Sequence, residues 1–327
     1  RALVEGGLAK VSITGGTIST NDFSKGSKTQ FSIYRGNVFG SCLGRAGPHY
    51  SGYSFVDTTY VHITGGTVYG SVFGGGENGH VLHNTNVSIE NGVVGIRIDT
   101  ISNPVDNIIF RGNVYGGGRG IDQVTDNEKS TATYSITAGK VSGNSNVSVS
   151  GGTVYRNIYG GGSFASVGDP DENPADGNFT SGLATVSVSG GTIGTDGGKN
   201  ANTFDASGEQ HRNNLKENGF VFGSGRGLSG AEGSVYDSLA YVNNSVVNIS
   251  GTAYVTGSVF GGGENGHVKN HTLVNVNPGG SFISESISDG DFATYNYISQ
   301  NTEPYPVIGY PLCRADMVEN LAKPRII

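Results

Sequence analysis

The sequence predicts an all-β chain, a parallel β-helix (β-solenoid) of about seven irregular coils with long loop insertions and a C-terminal tail. Three observations lead there. The twelve residues from Gly70 to Val81, GSVFGGGENGHV, recur unchanged from Gly257 to Val268. Two kinds of half-motif surround them along the chain, and the two kinds alternate strictly. An internal repeat of this kind describes units that cannot bury an apolar face until neighbours stack on them.

The opening half is an alternating strand that runs into glycine, as in Val11-Ser12-Ile13-Thr14-Gly15-Gly16-Thr17-Ile18 and Val61-His62-Ile63-Thr64-Gly65-Gly66-Thr67-Val68. Further copies begin at Val147 and Val186, with looser ones at Val87, Val247 and Val274. Period-2 alternation puts Val and Ile on one face and Ser, Thr, His or Asn on the other. The glycine pair marks a place where the chain can take positive φ and bend.

The closing half is a short apolar strand followed by glycine. It reads Asn37-Val38-Phe39-Gly40, Ser71-Val72-Phe73-Gly74, Asn113-Val114-Tyr115-Gly116, Asn157-Ile158-Tyr159-Gly160, Phe220-Val221-Phe222-Gly223 and Ser258-Val259-Phe260-Gly261. From each opening Val to the next closing Val or Ile the steps are 27, 11, 27, 11, 35 and 12 residues. Extra length therefore enters between strands, as insertions do in solenoids. At roughly 4.8 Å between stacked strands the rod would be on the order of 30–35 Å long. Phe39, Phe73, Tyr115, Tyr159, Phe222 and Phe260 are expected to stack as one interior row rather than as an exposed ligand-binding strip. The tyrosine hydroxyls require that part of this row reach water or a polar partner.

The repeat region occupies residues 1–285, and a tail, 286–327, follows it. Arg314 to Leu321 could make a couple of helical turns there. Glycine accounts for 56 of 327 residues, far above its usual share of about 7%. It lacks collagen's three-residue period, and its fixed places between apolar strands separate the chain from a disordered linker. The net charge is −7 and no Lys/Arg cluster offers a phosphate track, which argues against nucleic acid. No apolar run approaches the length of a membrane span. The chain starts ten residues before the first strand motif and ends without a capping element, so a piece of a longer protein is expected. Two cysteines, Cys42 and Cys313, are too few for a disulfide-built fold.

Several clusters invite a chemical reading. Glu77/His80 and Glu264/His267 look like acid–base pairs. An active site is normally built once, so their repetition favours a turn whose side chains bond nearby backbone. In the loop Gly168–Asn178, Asp169, Asp171 and Asn173 have the alternate spacing of calcium ligands, and Asp176 adds a fourth. Pro174 and Thr180 replace the glycine and the bidentate Glu of an EF-hand. Gly117 to Thr125 fits a single calcium-binding nonapeptide, whose site requires tandem copies. Asp57-Thr58-Thr59, Asp99-Thr100-Ile101 and Asp237-Ser238-Leu239 resemble a bacterial O-glycosylation pattern, giving Thr58, Thr100 and Ser238 as acceptors in insertions. Sequons at Asn86, Asn146, Asn178, Asn243, Asn248 and Asn270 read as repeat composition.

The phrases Val72-Phe73-Gly74-Gly75-Gly76-Glu77-Asn78-Gly79-His80-Val81 and Asn86-Val87-Ser88-Ile89, with the Ile-Thr-Gly-Gly-Thr-Val strands, resemble the glycine-rich repeats of large secreted or surface, adhesin-like proteins of Bacteroidetes-type bacteria. The resemblance implies export, a secreted or cell-surface location, and a non-enzymatic structural or adhesive role. Expected partners are a glycan or protein ligand at a cell surface, the remainder of a larger parent chain, and further copies of the chain through self-association. Insertions at 44–60, 97–110, 119–146, 163–182 and 196–219 would carry the binding surface. The alternative is a carbohydrate-active β-helix enzyme, a polysaccharide lyase or glycoside hydrolase, which needs paired carboxylates or calcium beside a basic residue.

Overall fold

In the computed structural model the described residues are 2–19, 36–44, 54–96, 111–120, 136–169, 174, 179–194, 202–204, 210–212, 218–228 and 238–277. They form an all-β structure of mainly parallel strands. In chain order these are β1 (Ala2–Ile18), β2 (Val38–Phe39), β3 (Ser54–Val68), β4 (Val72–Phe73), β5 (His80–Val81), β6 (Thr85–Ile89), β7 (Val93–Val94), β8 (Val114–Tyr115) and β9 (Ser145–Val154). There follow β10 (Ile158–Tyr159), β11 (Leu183–Ile193), β12 (Asn202–Phe204), β13 (Gln210–Arg212), β14 (Val221–Phe222), β15 (Asn244–Ser250), β16 (Tyr254–Val255), β17 (Val259–Phe260) and β18 (Thr272–Asn277).

Both half-motifs become sheets. The opening halves make a ten-stranded parallel sheet along the path β1-β3-β6-β9-β11-β15-β18, with β5, β7 and β16 beside it. The closing halves make a six-stranded parallel sheet, β2-β4-β8-β10-β14-β17. Equivalent positions stand in register: Val61, Val87, Val147, Val186, Val247 and Val274 form one row. A third column runs through single bridges, Val81 to Val141 to Val167, and Val242 to Val268. β12 and β13 form a separate antiparallel pair.

The strands continue through the glycine pairs, where a sharp bend was expected. The second glycine takes the positive φ, 81° at Gly16, 83° at Gly66, 77° at Gly152 and 81° at Gly191. Register shifts mark the same places, between Ile13 and Thr17 in β1 and between Val188 and Thr192 in β11. The pair thus kinks the strand as a bulge does and leaves it in the sheet.

The main core lies between the two sheets. It joins the inward Val and Ile of the opening halves, such as Val61, Ile63 and Val68, to Val72, Val114, Ile158 and Val221 of the closing halves. A smaller cluster of Val81, Val141, Val167, Ala184 and Val242 fills the third column. Buried hydroxyls tie the sheets together. Thr59 Oγ1 donates to Gly74 O at 2.7 Å, Thr85 Oγ1 to Gly116 O at 2.7 Å, Ser145 Oγ to Gly160 O at 2.6 Å and Ser245 Oγ to Gly261 O at 2.6 Å. Each stands two residues before an opening Val.

The aromatic residues of the closing halves face away from the valines and stack as one row. Successive centroids from Phe39 through Phe73, Tyr115, Tyr159 and Phe222 to Phe260 are 4.8, 4.7, 4.8, 5.0 and 5.0 Å apart. The row is interior at Phe73, Tyr115, Tyr159 and Phe222. Phe260, expected inside, is 44% exposed, because β17 ends its sheet among the described residues.

Three of the expected insertions need correction. Residues 54–60 belong to β3. Phe164, Ala165 and Val167, in the expected insertion 163–182, are buried. Val141, in the expected insertion 119–146, lies in the third column. Residues 97–110, most of 196–219 and the tail 286–327 lie outside the described residues.

A Cβ at Gly116 would sit 2.2 Å from Gly160 O, whereas one at Gly15 would meet nothing within 4 Å. Gly116→Ala is expected to cost about 1–3 kcal/mol by overpacking, and Gly15→Ala to stay within about 0.5 kcal/mol. Thr85→Val strips Gly116 O of its hydroxyl donor and is expected to cost about 1–3 kcal/mol. Urea unfolding of the three variants checks the ranking; a Gly116→Ala protein as stable as Gly15→Ala would contradict the register.

Candidate functional site

Behind the aromatic row the closing halves assemble a polar cluster that their repetition alone did not reveal. The first residue of each closing half builds a side-chain ladder. Asn37 Oδ1 accepts from Ser71 N at 2.8 Å, Ser71 Oγ from Asn113 N at 3.1 Å, Asn113 Oδ1 from Asn157 N at 3.2 Å and Asn157 Oδ1 from Phe220 N at 3.0 Å. Asn157 Nδ2 also donates to the Tyr159 hydroxyl at 3.2 Å.

The glycine turns then bring in charge. Arg119, buried, donates from Nη2 to Glu77 Oε1 at 2.7 Å. Burial raises the Glu77 carboxyl above its ordinary range, and the facing guanidinium opposes that rise. Tyr159 donates its hydroxyl to Glu264 Oε2 at 2.5 Å, and Arg226 Nε lies 3.6 Å from the same oxygen. Arg156 and Arg226 are buried beside the tyrosines. Burial pushes the Tyr115 hydroxyl up to about 12 against the pull of Arg226. Tyr159 is raised well above the phenol range, first by burial and then by the Glu264 carboxylate.

Glu77 and Glu264 therefore do not bond turn backbone as expected, nor do they share one job. Glu77 is held by the following copy, and Glu264 by the two preceding ones. The histidines turn elsewhere: the His80 ring lies 5.7 Å from Phe55 and the His267 ring 5.2 Å from Tyr241. Tyr115 and Tyr159 are each 1% exposed, whereas the Glu264 side chain keeps 36% of its surface exposed, so the cluster reaches solvent through that carboxylate alone among these three.

The outer face of the ten-stranded sheet is the accessible alternative. One row in register runs Ser12, His62, Ser88, Ser148, Ser187, Asn248 and Asn275. The next begins Lys10, Tyr60, Asn86, Asn146 and Thr185. Asn275 Nδ2 donates to Asn248 Oδ1 at 2.9 Å, and Asn248 Nδ2 to Ser187 Oγ at 3.2 Å, which orients the amides along the row. At the β1 and β3 end, Lys10 Nζ sits 5.7 Å over the Tyr60 ring, and that ring lies 5.6 Å from His62. His62 Nε2 pairs with Glu90 Oε1 at 2.7 Å, and His83 Nδ1 with Asp57 Oδ1 at 2.6 Å. Among the described residues this is a polar surface of rows in register, with an aromatic corner at Tyr60.

The remaining candidates are placed as follows. Asp169 is exposed and its carboxylate lies 3.4 Å from Lys140 Nζ. Asp171, Asn173 and Asp176 lie outside the described residues, and no group of three metal-ligating side chains occurs among the described ones. The nonapeptide's Asp122 is also outside them, while its Arg119 is committed to Glu77. Thr58 lies in β3, paired with Leu8, and not in an insertion. Ser238 is half-buried, and Thr100 falls outside the described residues. Cys42 is a free, half-buried thiol; Cys313 is outside the described residues. No helix among the described residues is long and apolar enough to cross a membrane. No protein-family model, curated protein or solved structure matches the chain.

Removing Arg119 alone would leave a carboxylate buried without its partner, so Arg119→Met is expected to cost about 3–5 kcal/mol. Adding Glu77→Gln should recover most of it, as a double-mutant cycle by urea unfolding would show. The tyrosines supply a pH signature. Unfolded phenols release protons near pH 10, whereas Tyr115 holds its own to about 12. Above pH 10 the unfolded chain binds fewer protons, so stability falls as pH rises from 10 towards 12. Phenolate absorbance should show two tyrosines ionising late and together with unfolding; ionisation of every tyrosine near pH 10 would contradict their burial.

Proposed function

We propose that the chain is a segment of a β-solenoid, a parallel β-helix of about seven coils, that serves as a non-enzymatic structural or adhesive element, secreted or at a cell surface. The observation that carries this reading is where the functional groups are spent. The carboxylates best suited to acid–base chemistry, Glu77 and Glu264, are committed to arginines and a tyrosine of neighbouring copies. The accessible polar groups instead form rows in register on the outer face. Such a rod holds a surface rigidly and repeats it, which favours weak contacts made many times over. The resemblance of the repeats to adhesin-like proteins supports the extracellular location.

The ligand is a glycan or a protein. Its contacts fall on the insertions, including 97–110 and 196–219, and on the corner formed by Lys10, Tyr60 and His62. An aromatic face beside oriented amides suits a sugar ring, whose C–H side stacks while its hydroxyls bond. Asp169, Asp171, Asn173 and Asp176 would be the ligands of a calcium ion on one insertion. The competing enzymatic reading draws on Tyr159, Glu264 and Arg226, whose short hydrogen bond and adjacent cation resemble a catalytic constellation.

Binding to an array of acidic and neutral glycans separates the readings. Tyr60→Ala is expected to weaken a detected glycan about tenfold while leaving the melting temperature unchanged. Incubation with the same polysaccharides should yield no new reducing ends and no unsaturated products. Turnover that Glu264→Gln abolishes, with folding intact, would replace this reading by the enzyme.

A further inference from the structure

The third column shows twice what the fold requires at one place. Residues 257–268 repeat 70–81 without a change, so His267 and Val268 stand where His80 and Val81 stand earlier in the stack. The strand beside them matches as well: Val56 pairs with Val81, and Val242 with Val268. Leu82 N donates to Val56 O at 2.9 Å and Lys269 N to Val242 O at 3.0 Å. In both copies the imidazole lies beside an aromatic ring at the same tilt. His80 is 5.7 Å from Phe55 at 34°, and His267 is 5.2 Å from Tyr241 at 34°.

With backbone and imidazole held alike, three neighbouring side chains differ. Tyr241 stands for Phe55, Asn243 for Asp57 and Lys269 for Leu82. The earlier set already satisfies the fold, so packing does not call for the later one. Every change adds a polar group or positive charge: a phenol hydroxyl is gained, a carboxylate is lost and an ammonium is gained. His267 and Lys269 are exposed and Tyr241 is half-buried, so these groups face solvent. Lys269 Nζ stands 5.7 Å over the Tyr241 ring.

The same three residue types meet at the aromatic corner. Lys10 Nζ lies 5.7 Å over the Tyr60 ring, and His62 is 5.6 Å from that ring at 33°. The chain builds the two places differently. Tyr60 and His62 share β3 and receive Lys10 from β1, whereas His267 and Lys269 share one segment and receive Tyr241 from the neighbouring one. The repeat therefore does not generate the likeness. A ring with an ammonium over it and an imidazole beside it joins an apolar face to strong donors. A sugar lays its C–H side on the ring, and a carboxylate or sulfate on that sugar takes charge-assisted hydrogen bonds from the ammonium. The imidazole donates an N–H in either protonation state.

We propose that Tyr241, His267 and Lys269 form a second glycan site, selective for sugars that carry a carboxylate or a sulfate. It rests on the glycan reading of the corner at Lys10, Tyr60 and His62, and it gives that corner the same ligand class. Tyr241 leads into β15, which lies four places from β3 in the ten-stranded sheet. The two sites are therefore about 19 Å apart along the stack. Two sites of one kind let an acidic polysaccharide hold the rod at two points, so that a weak contact is made twice. The Phe55, His80 and Leu82 copy lacks the ammonium and is no such site.

Calorimetric titration of the full chain with three short oligosaccharides tests this: one of uronic acids, one sulfated and one neutral. At least one of the acidic pair should bind at two sites per chain, and the neutral one at least about tenfold more weakly. Tyr241→Phe combined with Lys269→Leu gives this copy the side chains of the earlier one, so the melting temperature should hold while one of the two sites is lost. If the melting temperature falls, Lys269→Leu alone decides. Tyr60→Ala should remove the other site. Two sites remaining after the Tyr241 and Lys269 changes, or a single site in the parent that only Tyr60→Ala removes, overturns the second site and keeps the corner. A neutral oligosaccharide bound as tightly as the acidic ones, or inorganic sulfate competing as well as the sulfated sugar, overturns the ligand class. Binding of none of the three overturns this site and the glycan reading of the corner together.

Discussion

The structure depends on one close approach of backbone to backbone. In five of the six closing halves a glycine stands where any side chain would strike the carbonyl of the next half, at 2.1 to 2.2 Å from an ideal Cβ. That approach sets the spacing of the six-stranded sheet. It also restrains the register, because a slip of one residue towards the ring would put Phe or Tyr against the carbonyl. The valines on one side and the rings on the other then stack because the glycines do. A sheet with two stacked faces and a locked register has little freedom to slide.

With the register fixed, polar groups can enter the interior at low cost. A hydroxyl two residues before an opening Val finds a carbonyl of the other sheet at 2.6 to 2.7 Å. Ala184 holds the equivalent position in β11, aligned with Ser145 and Ser245, and there the tie is missing. The Asn and Ser ladder does the same for the first residue of each closing half. Repetition makes such burial workable where the neighbouring copy supplies the acceptor, as it does for these hydroxyls and for the Asn and Ser ladder. The arginines extend the logic to charge: a guanidinium among stacked rings is tolerable where carboxylates and phenol oxygens face it.

The candidate site divides along the same line. The sequence marked Glu77 and Glu264 because they carry titratable groups at repeated places, and the structure commits both to neighbouring copies, Glu77 largely enclosed and Glu264 exposed. The outer rows are legible in the sequence as the polar face of the strands but not as a site, because Ser, Thr and Asn at alternate positions are also what any half-exposed strand requires. Only the side-by-side placement of Lys10, Tyr60 and His62 gives them a common surface. Those residues are 50 or more apart in part, with Lys10 on β1 and the others on β3, so no local motif could signal them. The buried hydroxyls were legible in principle, as Thr or Ser two places before Val61, Val87, Val147 and Val247.

By itself the sequence determined the strand types, their parallel alternation, the rows of Val and of rings, and the glycines at positive φ. These follow from spacing and side-chain shape within a few residues, and each copy repeats them. The tertiary structure alone decided what identical segments do. The twelve residues at 70–81 and 257–268 have the same local backbone preferences, yet Phe73 is buried and Phe260 is 44% exposed. Glu77 meets Arg119 of the following copy, whereas Glu264 turns back to Tyr159 and Arg226. A repeat encodes its own fold, but burial and pairing belong to its neighbours, and those differ at each place along the stack.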